Sequence, residues 1–510
     1  MARYRHYDPQ QTKMIAVSYG RQLLPGTFEH ALSYLIDNEI DLGRFAARFK
    51  NDEAGAPAYD PAVLLKVVLF AYSRGITSSR TMARACVENV LFIALACDQQ
   101  PHFTTLAHFV ATLGQEVEAV FRDVLMVCNT QGLIGKNTFA IDGCKLPSNA
   151  SKEWSGTSAD FERKAAKMER AVAHLVKAHA EQDASEALDP DQDKQREHEE
   201  RTIATLRKNA GKLRTALATT TERLGAKGTP IKRNITDPES ATLKSSRGVL
   251  QGYIGVAVVD DEHQVVVEAQ AHGTPQEHDL LKPVIDGVHG HFAAMGEGDA
   301  AQAAAYLADA GYNSERGLKA LAADGIDGYI ADGQMRKRDP RYADASAHKP
   351  ASKAKFFQPK DFSFDREQGT CVCPAEQALK LNSANAIING RKATVFKGTD
   401  ATCGACPLRS QCLRKPNVTA VRQVAFFEGS VASKLPNPHC RAMREKIDRP
   451  EGRAIYANRM GLIEPVFGHT QQRGLRRFTL RGQAKVDTQW KLFCIVHNVA
   501  KLQLYGKLAA

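Results

Sequence analysis

The segment Asn137-Thr-Phe-Ala-Ile-Asp-Gly143 decides the fold class that the sequence predicts. Its short apolar run has the character of a strand and ends in the acid Asp142, which a glycine follows at once. Ala303 to Gly311 (AAAYLADAG) has the same form, with the acid Asp309 before its last two residues. Side chains at the carboxyl ends of strands project into the crevice where α/β sheets bind ligands. The two segments therefore predict an α/β domain that brings Asp142 and Asp309 together.

Further strands and helices are predicted on both sides of Asp309. Gln251 to Val259 and Gln264 to Ala271, separated by a polar turn, are expected to form a hairpin. Helices are expected to begin at Thr274-Pro275 and at Ser314, and another strand to span Ile326 to Ala331. Strands interleaved with helices in this way indicate a mixed sheet.

Residues 1–130 are predicted to form a separate helical domain. Asp60-Pro61 has the sequence of a helix start, and Gly75 ends that helix before another begins. A helix, a glycine-containing turn and a helix that carries Arg80 and Arg84 give the outline of a DNA-binding helix-turn-helix. Simple packing of two helices is the alternative interpretation.

A heptad pattern interrupts the α/β region at residues 160–225. Apolar residues recur at alternating spacings of four and three in two runs, Phe161, Ala165, Met168, Val172 and Leu175, and Ile203, Leu206, Ala210, Leu213 and Leu217. The polar stretch Asp183 to Lys194 joins the runs, so the pattern predicts an antiparallel helical hairpin insertion. The hairpin can be a structural arm or a dimer contact.

Residues 333–439 are predicted to form a less regular, basic insertion. Five of the eleven cysteines of the chain lie here, namely Cys371, Cys373, Cys403, Cys406 and Cys412. In a cytosolic chain such clustering favours a metal over disulfides, and four thiolates suit structural zinc. Reduced thiols without metal and a redox pair are the alternatives.

Positive charge is concentrated near the end of the chain. The net charge is +11, and between Glu451 and Ala510 the only acids are Glu451, Glu464 and Asp487. Lys and Arg side chains neutralise phosphates, so this region predicts a nucleic-acid partner. The candidate DNA-binding residues are Arg459, Arg473, Arg476, Arg477, Arg481 and Lys485.

Glu464 lies in the apolar run Ile463 to Gly468 and is predicted to be buried. A buried carboxylate is costly unless it is paired or binds a metal. Pairing with Arg459 or Arg473 is one explanation, and metal binding is the other.

The motifs taken together resemble bacterial insertion-sequence DDE transposases. The C-terminal signature is Tyr456-x-x-Arg459-x-x-x-x-Glu464-Pro-Val-Phe-Gly468, followed by Arg473-Gly474, Arg481-Gly482 and His497-Asn498. Phe139 to Gly143 and Ala308 to Ser314 resemble the two Asp motifs of the family, and Asn234 to Pro238 resembles its hairpin region. The N-terminal helices resemble the InsH-type domain.

This resemblance implies an RNase-H-like catalytic domain formed by residues 131–159, 226–332 and 440–510. It implies that Asp142, Asp309 and Glu464 hold Mg²⁺, or Mn²⁺, for two-metal phosphoryl transfer on DNA. The implied partners are the terminal inverted repeats and the target DNA, bound by a homodimer. Related sequences carry Lys seven residues after the glutamate, where this chain has Gln471.

Two alternative functions remain at this point. The chain can be a two-metal nuclease that does not join strands, or an inactive or domesticated DNA-binding derivative, which Gln471 favours. No run of about 20 apolar residues and no secretory h-region is present, so we expect a cytoplasmic, nucleoid-associated protein without membrane contact.

Overall fold

The computed structural model describes residues 10, 18–48, 57–183, 190–222, 224, 228–245, 248–341, 356–365, 368–388, 391–415, 417–427 and 437–508. Part of the predicted hairpin connection, residues 184–189, lies outside this range. The chain divides into two compact units. The first is formed by Met1–Asp332 and Met443–Ala510, and the second by Gly333–Ala442.

The strands and helices are numbered along the chain. The strands are β1 (Thr138–Pro147), β2 (Ser155–Gly156), β3 (Arg233–Asn234), β4 (Ala241–Ser245), β5 (Gly248–Asp260), β6 (Val266–His272), β7 (Ala305–Ala308), β8 (Asp327–Ile330), β9 (Ser363–Asp365), β10 (Thr370–Val372), β11 (Ala378–Ile388), β12 (Arg391–Lys397) and β13 (Gln423–Phe427). The helices are α1 (Tyr19–Gln22), α2 (Phe28–Asn38), α3 (Pro61–Ser73), α4 (Ser79–Glu88), α5 (Val90–Leu95), α6 (Phe103–Thr112), α7 (Gly114–Thr130), α8 (Ser158–Asp183), α9 (Pro190–Thr219), α10 (Leu281–Ala294), α11 (Gly298–Ala303), α12 (Glu315–Ala323), α13 (Met335–Arg338), α14 (Asp400–Gly404), α15 (Arg409–Cys412), α16 (Pro438–Asp448), α17 (Pro450–Gln472) and α18 (Gln483–Tyr505). Among the described helices, none is long and apolar enough to span a bilayer.

A six-stranded mixed sheet forms the centre of the first unit. Its order is β4-β5-β1-β7-β8, and β6 pairs with β5 as well. The pairs β4–β5, β5–β6 and β1–β5 are antiparallel, whereas β1–β7 and β7–β8 are parallel. The predicted mixed α/β fold class is thus confirmed, and the predicted hairpin is formed by β5 and β6.

The prediction that β1 ends at Asp142 was wrong. The parallel pairing with β7 stops at Ile141, opposite Ala308, but the antiparallel pairing with β5 continues to Pro147. The strand therefore runs five residues past Asp142, because β5 is long enough to supply backbone hydrogen-bond partners there. Asp142 still lies where the β7 partner ends.

Side chains cap several of the helix starts. The side chains of Thr27, Asp60 and Ser314 accept hydrogen bonds from backbone N–H groups of the helices that they precede. The start predicted at Thr274-Pro275 was wrong, since α10 begins at Leu281. The intervening segment, residues 273–280, is irregular. It contains Glu277, which pairs with Lys145 of β1.

Helix α18 is buried between the sheet and the N-terminal helices. The Trp490 Nε1 donates to the carbonyl of Val256 at 2.7 Å, and the Asn498 side chain bonds both backbone groups of Val266 at 2.8 Å. Phe493 stacks on Tyr72 of α3, with ring centroids 4.7 Å apart. These contacts join the N-terminal helices and the sheet in one core.

The two heptad helices pack against each other in antiparallel fashion, as predicted. Arg214 of α9 pairs with Glu162 and Glu169 of α8, and the His179 Nε2 lies 2.6 Å from Glu199 Oε2. Phe161, Ala165 and Leu213 form a buried cluster at the base of the hairpin. These residues lie at heptad positions.

The second unit contains a five-stranded antiparallel sheet of order β13-β12-β11-β10-β9. The expectation of a less regular segment was therefore wrong here. Its buried core consists of Phe362, Cys371, Leu379, Phe396 and Val424. The strands are short, bulged or mostly exposed on one face, so their apolar residues give only a weak period-2 signal.

Candidate active site

The structure brings Asp142 and Asp309 together. Ile141 of β1 pairs with Ala308 of β7, so the two aspartates are the next residues on adjacent parallel strands. Such strands lie about 4.8 Å apart. Both acids are half-buried, and they act on each other electrostatically.

Each aspartate is fixed by backbone or side-chain donors. Asp142 Oδ1 accepts from Gly143 N at 2.7 Å, and its Oδ2 accepts from Arg459 Nη1 of α17 at 2.8 Å. Asp309 Oδ1 accepts from Gly311 N at 2.8 Å. Burial raises the pKa of Asp142, the neighbouring Asp309 adds to that rise, and the Arg459 guanidinium opposes it.

A third acid at this site, Glu277, was missed by the sequence analysis. Its Oε1 lies 3.2 Å from Lys145 Nζ, and its side chain is 14% exposed. Burial raises the pKa of Glu277, Lys145 lowers it, and both aspartates raise it further. Glu277 lies in the irregular segment 273–280, which has no apolar period or motif that would have pointed to it.

Gly311 is required by the close approach of these acids. A Cβ at this position would lie 2.5 Å from Glu277 Oε2 and 3.0 Å from Asp309 Oδ1. Real Cβ atoms essentially never show the shorter distance. The glycine after Asp309 therefore allows Glu277 to approach.

The carboxylates of Asp142, Asp309 and Glu277 are the type of ligand that a hard divalent cation takes, although their oxygens do not all lie within 4.8 Å of one another. Three carboxylates supply oxygen, which Mg²⁺ and Mn²⁺ prefer. The fully buried Tyr312 hydroxyl has no hydrogen-bond partner among the described residues, and its pKa is raised by burial and then by Asp142, Glu277 and Asp309. A cation would offset the mutual repulsion of the acids.

The prediction that Glu464 is buried was wrong. Its side chain is exposed on α17, and no ion pair to it occurs within the described ranges. It follows Arg459 by five residues, which is about 7.5 Å along the helix axis and about 140° around it. The apolar neighbours Ile463 and Val466 are buried, whereas Glu464 points to another side of the helix.

The C-terminal basic residues differ in their exposure. Arg459 is buried against Asp142, and Arg473 is half-buried, donates to the Val496 carbonyl at 3.4 Å and has a pKa lowered by burial. The remaining four are exposed and are called the basic surface below, namely Arg476, Arg477, Arg481 and Lys485. Asn149 accepts from Arg477 at 2.6 Å and from Arg481 at 2.8 Å, which orients both side chains.

Cys371 does not line the cavity that the other four candidate zinc ligands share. Cys371 is 1% exposed within the apolar core of the second unit. The other four line a cavity of ≈ 30 Å³, namely Cys373, Cys403, Cys406 and Cys412. Burial raises the pKa of the Cys412 thiol, Arg422 lowers it, and the other three thiols raise it.

Two known protein families match parts of this chain. The family described as "Transposase DDE domain" matches residues 372–503, and the family described as "Transposase domain (DUF772)" matches residues 18–112. Both matches are to transposase families, and each covers less than half of the chain. The predicted resemblance is thereby confirmed, while the InsH-type subtype stays a prediction. Comparisons with curated proteins and with solved structures gave no match.

The two transposase matches cover the N-terminal helices and the C-terminal part of the chain. The DUF772 match spans α1 to α6, within the predicted N-terminal domain. The DDE-domain match contains Arg459, Glu464 and the basic surface, and it begins inside the segment 333–439. The transposase family therefore shares most of the cysteine-containing segment with this chain.

Proposed function

We propose that this chain is a DDE transposase that cleaves DNA and transfers the cleaved strand in a metal-dependent reaction. The observation that carries the proposal is the placement of Asp142 and Asp309 side by side, where the pairing of β1 with β7 ends, in a chain of which two parts match transposase families. The strand order and directions of the central sheet support an RNase-H-like catalytic domain.

Asp142 and Asp309 would hold the divalent ions. When bound, such ions activate water or a DNA 3′-hydroxyl and stabilise the leaving oxygen. Arg459 keeps the Asp142 carboxylate in one orientation through the bond to Oδ2. The same guanidinium offsets part of the repulsion between the aspartates.

The resemblance assigns the third ligand to Glu464, and the proximity of Glu277 adds a further candidate. Glu464 stands on α17, the helix that also carries Arg459. We propose Glu464 as the third catalytic acid. The Glu277 carboxylate lies near Asp309. We propose that it is an additional group that raises the affinity of the site for metal.

Glu277→Gln is expected to raise the Mg²⁺ concentration at half-maximal cleavage by about tenfold, the size of effect seen for groups that support metal ligands. The cleavage rate at saturating Mg²⁺ should change much less. Asp299→Asn, which removes an exposed acid of α11, serves as the matched control. The same Mg²⁺ dependence in Glu277→Gln and wild type would contradict a role in metal binding.

The basic surface is proposed to bind the DNA backbone. Asn149 follows Asp142 by seven residues (149 − 142), or at most about 23 Å of extended strand. DNA that lies on the basic surface can therefore reach the acids.

Replacing Arg476, Arg477 and Arg481 with glutamine should weaken binding to the element ends. The slope of log K against log salt should fall by about three units, because each lost phosphate contact removes about 0.9. A matched variant changes three exposed cations of α9, Arg201, Arg207 and Lys208, and should keep the wild-type slope. An unchanged slope in the first variant would indicate that DNA binds another surface, and the N-terminal helices would be tested next.

A zinc ion is proposed for the second unit, held by Cys373, Cys403, Cys406 and Cys412. Four thiols around a cavity of ≈ 30 Å³ provide the number and type of ligand that structural zinc takes. Cys371 is omitted because its side chain belongs to the apolar core.

The overall function is tested by incubating the full chain with the element's own ends, target DNA and Mg²⁺. Joined products are expected. Nicked ends without joining would indicate a nuclease, and bound but uncut ends would indicate a DNA-binding derivative.

A further inference from the structure

A second group of metal-ligand side chains lies apart from the aspartates. Glu118 of α7, Glu268 of β6 and His291 of α10 each offer one ligand atom, and these atoms all lie within 4.8 Å of one another. On the sheet, β5 separates β6 from β1. The strand that carries Glu268 is thus about 10 Å from the strand that carries Asp142.

His291 lacks a normal hydrogen bond although it is almost fully buried. Its side chain is 3% exposed, and its Nε2 lies 3.1 Å from Glu118 Oε1 and 3.2 Å from Glu268 Oε2. Neither ring nitrogen has a partner with hydrogen-bond geometry in the described part of the chain. One N–H cannot point at two carboxylates at once, whereas a metal ion can be bound by all three groups.

Two of the three ligand separations are close to those of tetrahedral coordination. Two ligand atoms about 2.1 Å from a zinc ion, at a tetrahedral angle, lie about 3.4 Å apart. The two observed N–O separations, 3.1 and 3.2 Å, come close to this value. The ligands therefore need only small movements to bind an ion.

Neighbouring residues prepare the position of the Glu268 carboxylate. Its Oε1 accepts from Ala269 N at 2.8 Å, and a Cβ at Gly287 would overlap with its Oε2. Gly287 thus keeps open the space that this carboxylate occupies.

The charges of the cluster also favour a cation. Lys491 pairs with Glu118 at 3.1 Å and with Asp487 at 2.5 Å. The cleft at this cluster is lined by four carboxylates and two cations, so with His291 neutral the negative charges are in excess by two; they are Glu118, Glu239, Glu268 and Asp487 against Arg122 and Lys491. A divalent ion would balance them.

We propose that Glu118, Glu268 and His291 bind a zinc ion whose fourth position opens to the cleft that they line. This cleft has a volume of ≈ 700 Å³. One imidazole nitrogen with two carboxylates suits zinc, whereas magnesium takes oxygen ligands. The ion would connect α7, β6 and α10 and so stabilise the packing of α7 on the sheet.

The test is to measure the zinc content of the full chain after dialysis against zinc and removal of free ion. A thiol-specific mercurial then releases the cysteine-bound zinc, and the retained zinc is counted. One retained equivalent is expected in wild type and in Asp309→Asn. Retention by Asp309→Asn would show that the zinc is not bound at the aspartate site. Glu118→Gln and His291→Asn should retain none. Glu118 is the more exposed ligand, so its variant remains informative where His291→Asn does not fold.

Glu116→Gln is the matched control, because Glu116 lies two residues before Glu118 on α7 and pairs with Arg48 instead. It should retain one equivalent. Zinc should also raise the melting temperature of wild type and the control but not that of Glu118→Gln. The proposal would be overturned if wild type retained no zinc. It would also be overturned if Glu118→Gln retained as much zinc as wild type and was stabilised equally. His291 would then be a protonated ion-pair partner of the two glutamates.

Discussion

Asp142→Asn and Asp309→Asn are each expected to lower strand cleavage by orders of magnitude while binding to the element ends is retained. Each change keeps the size of the side chain but removes a charged metal ligand. Binding should survive because we propose that the exposed arginines of the basic surface, and not the acids, contact phosphates. Cleavage is measured on labelled ends at saturating Mg²⁺, and binding is measured on the same DNA with Ca²⁺.

Glu464→Gln is expected to show the same loss. Glu451→Gln is its matched control, since Glu451 is an exposed acid in the first turn of the same helix. Near-normal cleavage by Glu464→Gln would reject the assignment that the resemblance implies. If Glu277→Gln then abolished cleavage at every Mg²⁺ concentration, Glu277 would be the third catalytic acid.

The double variant Cys403→Ser, Cys406→Ser is expected to lose one zinc ion and to unfold the second unit. A structural zinc site contributes folding free energy, with apparent values of about 10–16 kcal/mol in zinc-finger peptides. The second unit has only a small buried core to compensate for this loss. Loss of zinc is measured by metal analysis, and loss of structure by limited proteolysis between residues 333 and 442.

Cys371→Ala is the control for this experiment. It removes a thiol from the apolar core and should keep the zinc, because the four proposed ligands are unchanged. The absence of mercurial-releasable zinc from wild type, purified under reducing conditions without a chelator, would reject the site. Loss of zinc in Cys371→Ala with an intact fold would show that Cys371 is one of the zinc ligands.

Features that depend on a few neighbouring residues could be predicted from the sequence. The caps at Asp60 and Ser314 depend on hydrogen bonds within three residues, and the heptad spacing indicated the two helices of the hairpin. The apolar runs before Asp142 and Asp309 predicted strands correctly. The resemblance to transposases could also be found from the sequence, because it depends on short motifs in a fixed order along the chain and not on the fold of the segments between them.

Features that depend on distant partners were decided by the tertiary structure. The extension of β1 past Asp142 depends on β5, more than 100 residues away, and the pairing of Arg459 with Asp142 joins residues 317 apart. The place of Glu277 depends on Lys145 and on the space left by Gly311. The side of α17 that Glu464 faces depends on which residues of that helix pack on the sheet.

The sequence by itself thus determined the mixed α/β fold class, the apolar strands before Asp142 and Asp309, and the resemblance to DDE transposases, since these depend on local periodicity and on ordered motifs. Only the tertiary structure decided that Glu277 lies beside Asp142 and Asp309, which four cysteines share a cavity, and that Glu118, Glu268 and His291 meet. The physical reason is that a site is formed by side chains from several elements. Their proximity follows from strand pairing and helix packing, which no short stretch of sequence encodes.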